Sequence, residues 1–141
     1  MASKKNNYED AESRALWQRA QLNPILRDYL YHVPLGGKRN AKEAARMKGQ
    51  GVRSGVHDYH LPVARGCYHG LWIELKPDVK GYYPTPTKDQ LEWRDKMRDQ
   101  GYAAFIIKGW ENAIAVMLMY IDLKPDEPFI FKPGKFDTDI S

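Results

Sequence analysis

The chain has 141 residues, 43% hydrophobic and 28% charged, which suits one globular domain with a sizeable core and excludes intrinsic disorder. No apolar run approaches the roughly 18 residues of a transmembrane helix, and the opening Met1-Ala2-Ser3-Lys4-Lys5 stretch lacks the apolar centre of a secretory signal. A single cysteine, Cys67, excludes an internal disulfide and a cysteine-based zinc cluster and fits a reducing cytoplasm, while a net charge of +4 permits nucleic acid as a partner without requiring it.

Tyr8 to Gln21 mixes Ala11, Ala15, Leu16 and Ala20 among charges and predicts a helix that Asn23-Pro24 interrupts. Ile25 to Leu30 predicts a further helical turn, Tyr31-His32-Val33 a short strand, and Pro34-Leu35-Gly36-Gly37 a loop. Asn40 is a ready N-cap for a helix ending near Gly49-Gln50-Gly51. From Lys38 to Arg53 six basic residues (Lys38, Arg39, Lys42, Arg46, Lys48, Arg53) stand against one acid, Glu43. Arg39, Lys42 and Arg46 follow i, i+3, i+7 spacing and share one helix face.

A hairpin follows. Val56 to Val63 predicts one strand and Leu71-Trp72-Ile73-Glu74-Leu75-Lys76 the other, with Arg65-Gly66-Cys67 as the turn. The second strand alternates: Leu71, Ile73 and Leu75 face one side, Trp72, Glu74 and Lys76 the other. In a hairpin centred on Gly66, residues whose numbers sum to 132 lie opposite one another, which sets Asp58 against Glu74. Opposed residues have Cβ atoms roughly 4.5–5.5 Å apart. Two carboxylates at that separation repel unless something positive lies between them. A hard divalent cation would do so, and Mg²⁺ is typically held by one or two carboxylates plus phosphate oxygens and water.

Pro77 to Pro86, rich in Gly, Pro and Tyr, predicts an exposed loop. Thr85-Pro86 predicts an N-cap with proline at the first helical position, and Thr87-Lys88-Asp89-Gln90 matches a capping box. The helix should run to about Gln100, packing through Leu91, Met97 and Trp93, and stop at Gly101. Tyr102 to Ile107 predicts a buried strand, with the preceding helix as its right-handed crossover, and Trp110 to Tyr120 an apolar helix. Residues 1–123 then form the domain. Residues 124–141 form a tail bearing Phe129-Ile130-Phe131 between Pro128 and Pro133. Three adjacent large apolar residues suit packing on their own domain or on a second subunit. The order predicts an α/β sandwich with a small mixed sheet.

Each of these features has a plainer reading. Glu74 and Lys76 can be a surface pair, and the Arg39, Lys42, Arg46 stripe a solvated helix face. Like charges opposed across a hairpin weigh against the first. A site that binds phosphates beside its own carboxylates weighs against the second, because the basic stripe offsets that repulsion. His57, His60 and His69 are weaker metal candidates, since a strand puts His57 and His60 on opposite faces. Cys67 has no partner placed to make it nucleophilic.

Taken in order, several segments resemble the virus-type replication-repair nuclease (VRR-NUC) family of the PD-(D/E)xK superfamily. They are Pro34-Leu35-Gly36-Gly37-Lys38-Arg39, Glu43-Ala44-Ala45-Arg46 and Gly51-Val52-Arg53-Ser54-Gly55-Val56-His57-Asp58, then Tyr68-His69-Gly70-Leu71-Trp72-Ile73-Glu74-Leu75-Lys76, Gln90-Leu91-Glu92-Trp93 and Gly101-Tyr102. The resemblance implies a restriction-endonuclease-like core, a small mixed β-sheet flanked by helices, and a homodimeric endonuclease acting on branched DNA such as four-way junctions. It implies Mg²⁺, with Mn²⁺ able to substitute, held by Asp58, Glu74, the Leu75 backbone carbonyl and Glu12. Lys76 and Gln90 complete the reaction centre, while the basic run suggests Lys38, Arg39, Lys42, Arg46 and Arg53 as DNA contacts. Two positions depart from the family pattern: His57 stands where a proline is usual, and Leu35 where an asparagine is expected. Glu9 lies one turn before Glu12 and is the alternative first-helix acid. A small nuclease of this kind would suit a bacteriophage or mobile element. The contrasting expectation is a non-catalytic DNA-binding or assembly subunit that keeps the fold.

Overall fold

The computed structural model describes residues 4–34 and 40–129. Its elements run α1 (Lys4–Ala20), α2 (Pro24–Tyr29), β1 (Tyr31–His32), α3 (Ala41–Gly49), β2 (Tyr59–Leu61), β3 (Leu71–Lys76), α4 (Lys88–Asp99), β4 (Ala103–Lys108) and α5 (Trp110–Ile121). The strands form one sheet in the order β1-β2-β3-β4, antiparallel at the first two pairings and parallel at the third. It is a mixed four-stranded sheet flanked by helices, with α4 as the crossover between parallel β3 and β4.

Alternation along β3 and β4 divides the sheet into two faces. Leu71, Ile73, Leu75, Ala103, Phe105 and Ile107 pack with Leu16 and Ala20 of α1 and with Ala113, Val116, Met117 and Tyr120 of α5. The other face carries Trp72, Glu74, Lys76 and, on β4, Ala104, Ile106 and Lys108, in register with them. At full burial each aliphatic side chain in the first cluster stabilises the fold by roughly 1.5–3 kcal/mol.

Local signals set the boundaries. Asn23 caps α2, its side chain accepting from the Ile25 and Leu26 N–H groups, with Pro24 at the first helical position. Asn40 caps α3 through the Glu43 N–H at 2.7 Å. At α4 the N-cap is Thr87, not Thr85: Thr87 Oγ1 accepts from Gln90 N–H, and Gln90 Oε1 accepts from Thr87 N–H at 2.9 Å. That reciprocal pair satisfies two donors at once, so the helix starts after Pro86 rather than with it.

The hairpin has the expected register: Tyr59 faces Ile73, His60 faces Trp72 and Leu61 faces Leu71. Its first strand is shorter than Val56 to Val63, beginning only at Tyr59. The residues before it are held by α4 instead of the ladder. The buried His57 ring donates from Nε2 to the Gln90 carbonyl at 3.2 Å. Gly55, at φ 88°, packs so closely on Asp89 that a side chain there would collide with its backbone. At the turn, Gly66 lies against the Glu127 carbonyl, which also accepts from the Cys67 N–H at 3.2 Å. The start of the tail is therefore fastened to the hairpin. Phe129 folds onto its own domain, against Tyr68, Phe105 and Tyr120. Ile130 and Phe131, like Lys38 and Arg39, lie outside the described residues.

Candidate functional site

Asp58 is held from both sides. Its backbone carbonyl accepts from Val33 N–H at 2.6 Å, just beyond β1, and its Oδ2 accepts from Leu75 N–H at 2.9 Å on β3. The carboxylate thus takes the place of a ladder acceptor at the end of β2, which fixes it beside the strand carrying Glu74. The N–H and C=O of one strand residue point to the same side, so the Leu75 carbonyl also faces Asp58.

Glu74 and Lys76 project from the same face of β3, and only 4% and 7% of their surface is exposed. The Lys76 ammonium lies 3.7 Å from Glu74 Oε2. Asp58 and Glu74 are close enough for each carboxyl to act on the other, and two ionised carboxylates so placed repel. Burial and the Asp58 charge push the Glu74 carboxyl up to about 10, against the favourable field of Lys76. Burial also raises Asp58, opposed by Glu74, the Leu75 N–H and the nearby Lys76.

This cluster lies on the wall of a cleft of about 1320 Å³ formed by α1, α3, α4 and the ends of the strands. Among the described residues, no group of three or more His, Cys, Asp or Glu side chains is placed to hold a metal. The donor set is two carboxylates plus a backbone carbonyl. That set fits Mg²⁺, which keeps several waters and usually takes only one or two protein carboxylates, rather than a metal that wants a full protein cage.

The other expected residues fall differently around the cleft. Glu12 lines it, but both its oxygens accept backbone N–H groups, from Trp110 at 2.7 Å and from Asp78 at 3.5 Å. A carboxylate at the start of α5 complements the helix dipole. Glu9 lines the cleft as well, and its negative charge acts on Glu74. Gln90 lines the cleft with its side-chain oxygen engaged in the α4 capping box. On α3, Ala44, Met47 and Lys48 turn to the cleft, whereas Lys42 and Arg46 are exposed on other faces; Arg53 does reach the lining. Lys48, His32 and Lys96 of α4 are cleft residues that sequence reasoning did not select. Lys48 sits i+4 from Ala44, a signal available only once the inward face of α3 is known.

No protein-family model matches the chain, and no curated protein does. Among solved structures, one described as a VRR_NUC domain protein superposes with a TM-score of 0.71. It is 33% identical in sequence, and the match covers 84% of this chain and 91% of that one. Likeness at that identity over nearly the whole of both chains, with the carboxylate hairpin in the expected register, shows that this chain belongs to the VRR-NUC family and is a nuclease-fold domain.

Proposed function

We propose that the protein is a Mg²⁺-dependent DNA endonuclease that hydrolyses phosphodiester bonds and prefers branched DNA such as four-way junctions. The observation that carries this reading is the Asp58–Glu74 carboxyl pair, which faces a cleft beside Lys76. A structural pair so disposed would be costly, because either both carboxylates are charged and repel or one is held protonated well above its ordinary pKa. A divalent cation turns that repulsion into binding.

Asp58, Glu74 and the Leu75 carbonyl would hold the cation. When bound, it supplies Lewis-acid polarisation of the scissile phosphate and a lowered pKa for the attacking water. Glu74, whose carboxyl burial and the Asp58 charge push up to about 10, must lose its proton first. Lys76, anchored 3.7 Å from Glu74, places a positive charge where negative charge develops on the phosphate oxygens. Glu9 takes the first-helix position in this reading, because Glu12 is engaged by backbone N–H groups. Lys48, Arg53 and Lys96 neutralise backbone phosphates along the cleft. The protein would act in the cytoplasm as a homodimer, placing two such sites in one particle, so that both strands of a symmetric junction are cut in one encounter.

A nicking assay on supercoiled, linear and four-way-junction DNA tests this. Mg²⁺ or Mn²⁺ should support cleavage, fastest on the junction, and Asp58→Asn should be inactive. Wild-type cleavage by Asp58→Asn would overturn the assignment. Light scattering should give twice the chain mass of 16.3 kDa; a monomer still active on junctions would remove the dimer.

A further inference from the structure

The loop from Pro77 to Thr87 joins the catalytic strand to α4 and presents two consecutive tyrosines with opposite surroundings. Val79 and Tyr82 pair across a tight turn in which Gly81 has φ 85°. Tyr82 packs inward on Tyr8 of α1, ring centroids 5.5 Å apart. Tyr83, next in the chain, points outward and is 69% exposed, which is high for a large ring. The next two residues, Pro84 and Thr85, line the cleft.

Tyr83 is linked to the reaction centre through Lys108. The Lys108 ammonium lies over its ring, 5.5 Å from the centroid, within the range of a cation–π contact. Lys108 of β4 is the register partner of Lys76 on β3. Paired residues of parallel strands project from the same face, about 4.8 Å apart. The loop therefore holds an exposed ring directly before two cleft-lining residues, over a lysine one strand away from Lys76.

We propose that Tyr83 is a stacking platform for an unpaired base next to the scissile phosphate, with Lys108 holding the ring and adding positive charge beneath the strand. This rests on the nuclease reading above and adds to it how a branch point is selected. A base offers its π-face only when unstacked from its neighbours, and extrusion costs least where pairing is already broken. The anchored Tyr82 fixes the loop before binding, so little order has to be imposed on the ring.

The test uses a four-way junction with 2-aminopurine at the nucleotides flanking the branch point. It is mixed without metal with Asp58→Asn protein, so that binding is read without cleavage. The Asp58→Asn protein should quench the emission at one flanking position. Adding Tyr83→Ala should remove that quench and weaken junction binding by about 5- to 150-fold, the factor that one base–aromatic stack provides. Tyr83→Phe and Tyr83→Trp keep a ring and should keep both signals, which separates loss of stacking from a disturbed loop. Equal quenching and binding by the alanine variant would overturn the platform while leaving cleavage by the wild type, and so the nuclease reading, intact. Tyr83-dependent quenching by a protein that cleaves nothing in Mg²⁺ would overturn the nuclease reading and keep the platform. Absence of DNA binding by every variant would overturn both.

Discussion

Two polar clusters lie side by side on one face of the β2–β3 hairpin and behave in opposite ways. At one end Asp58 meets Glu74 and Lys76 and opens onto the cleft. Two residues along the same register, His60 stacks on Trp72, ring centroids 3.9 Å apart, and Trp93 of α4 closes over Trp72 edge-on at 5.3 Å. Tyr31 Oη, from β1, lies 2.7 Å from His60 Nδ1. Desolvation drives each titratable group toward its neutral form, so it raises the Glu74 acid and lowers the His60 base. Burial of an ionisable group therefore does not by itself mark a site. What distinguishes the acidic end is the convergence of two carboxyl groups that open onto the cleft. The aromatic end is half-buried, with its rings stacked on one another, and reads as packing.

The largest difference should appear on substitution. Glu74→Gln is expected to reduce cleavage by more than the roughly 10–100-fold that changes behind a metal's ligands cost. In the absence of metal the same variant should melt no lower than the wild type, because the opposed carboxylates are gone. Trp72→Ala should do the reverse, lowering stability by about 3 kcal/mol in urea unfolding through the cavity it leaves. A loss under 1 kcal/mol there would mean that the aromatic end is not a packing pocket.

The pH dependence of metal-free stability sharpens the contrast. The folded-state Glu74 carboxyl lies above its unfolded value, so the folded state binds more protons in between. Stability should be fully present below pH 4.5 and fall as pH rises toward 10, with a limiting slope of about 1.4 kcal/mol per pH unit. Glu74→Gln should flatten that slope, and saturating Mg²⁺ should reduce it while releasing a proton on binding. A slope that survives Glu74→Gln would place its origin elsewhere. His60 has the opposite sign: its folded value is depressed below 6.5. Its contribution is present above pH 6.5 and lost as pH falls through the folded value, and His60→Phe should remove it.

The smallest effect concerns the cleft cations. Lys48→Ala and Arg53→Ala should each reduce the salt slope of DNA binding by about 0.9, while Lys42→Ala and Arg46→Ala, exposed on other faces of α3, should leave it closer to the wild-type value. Equal losses at all four positions would mean that DNA wraps α3 and is not confined to the acidic end.

How much of this was readable beforehand depends on the range of the interaction. The pairing of Tyr59 with Ile73 follows from alternation about a turn at Gly66, and the Thr87–Gln90 box from spacing within one helical turn. Both are local, so the amino-acid sequence alone determined them, and with them the meeting of Asp58 with Glu74. The length of β2 was not readable, because what ends it is the close approach of Gly55 and His57 to α4, a contact across more than thirty residues. Nor was the choice between Glu9 and Glu12. One turn apart, they share a helix face by periodicity, and only the docking of α1 on α5 gives Glu12 the Trp110 N–H and leaves Glu9 acting on Glu74. The same holds for α3, whose pattern shows which residues share a face but not which face turns inward. Periodicity fixes positions relative to one another around a helix; its rotation about its own axis is set by what it packs against, and that is decided only by the tertiary structure.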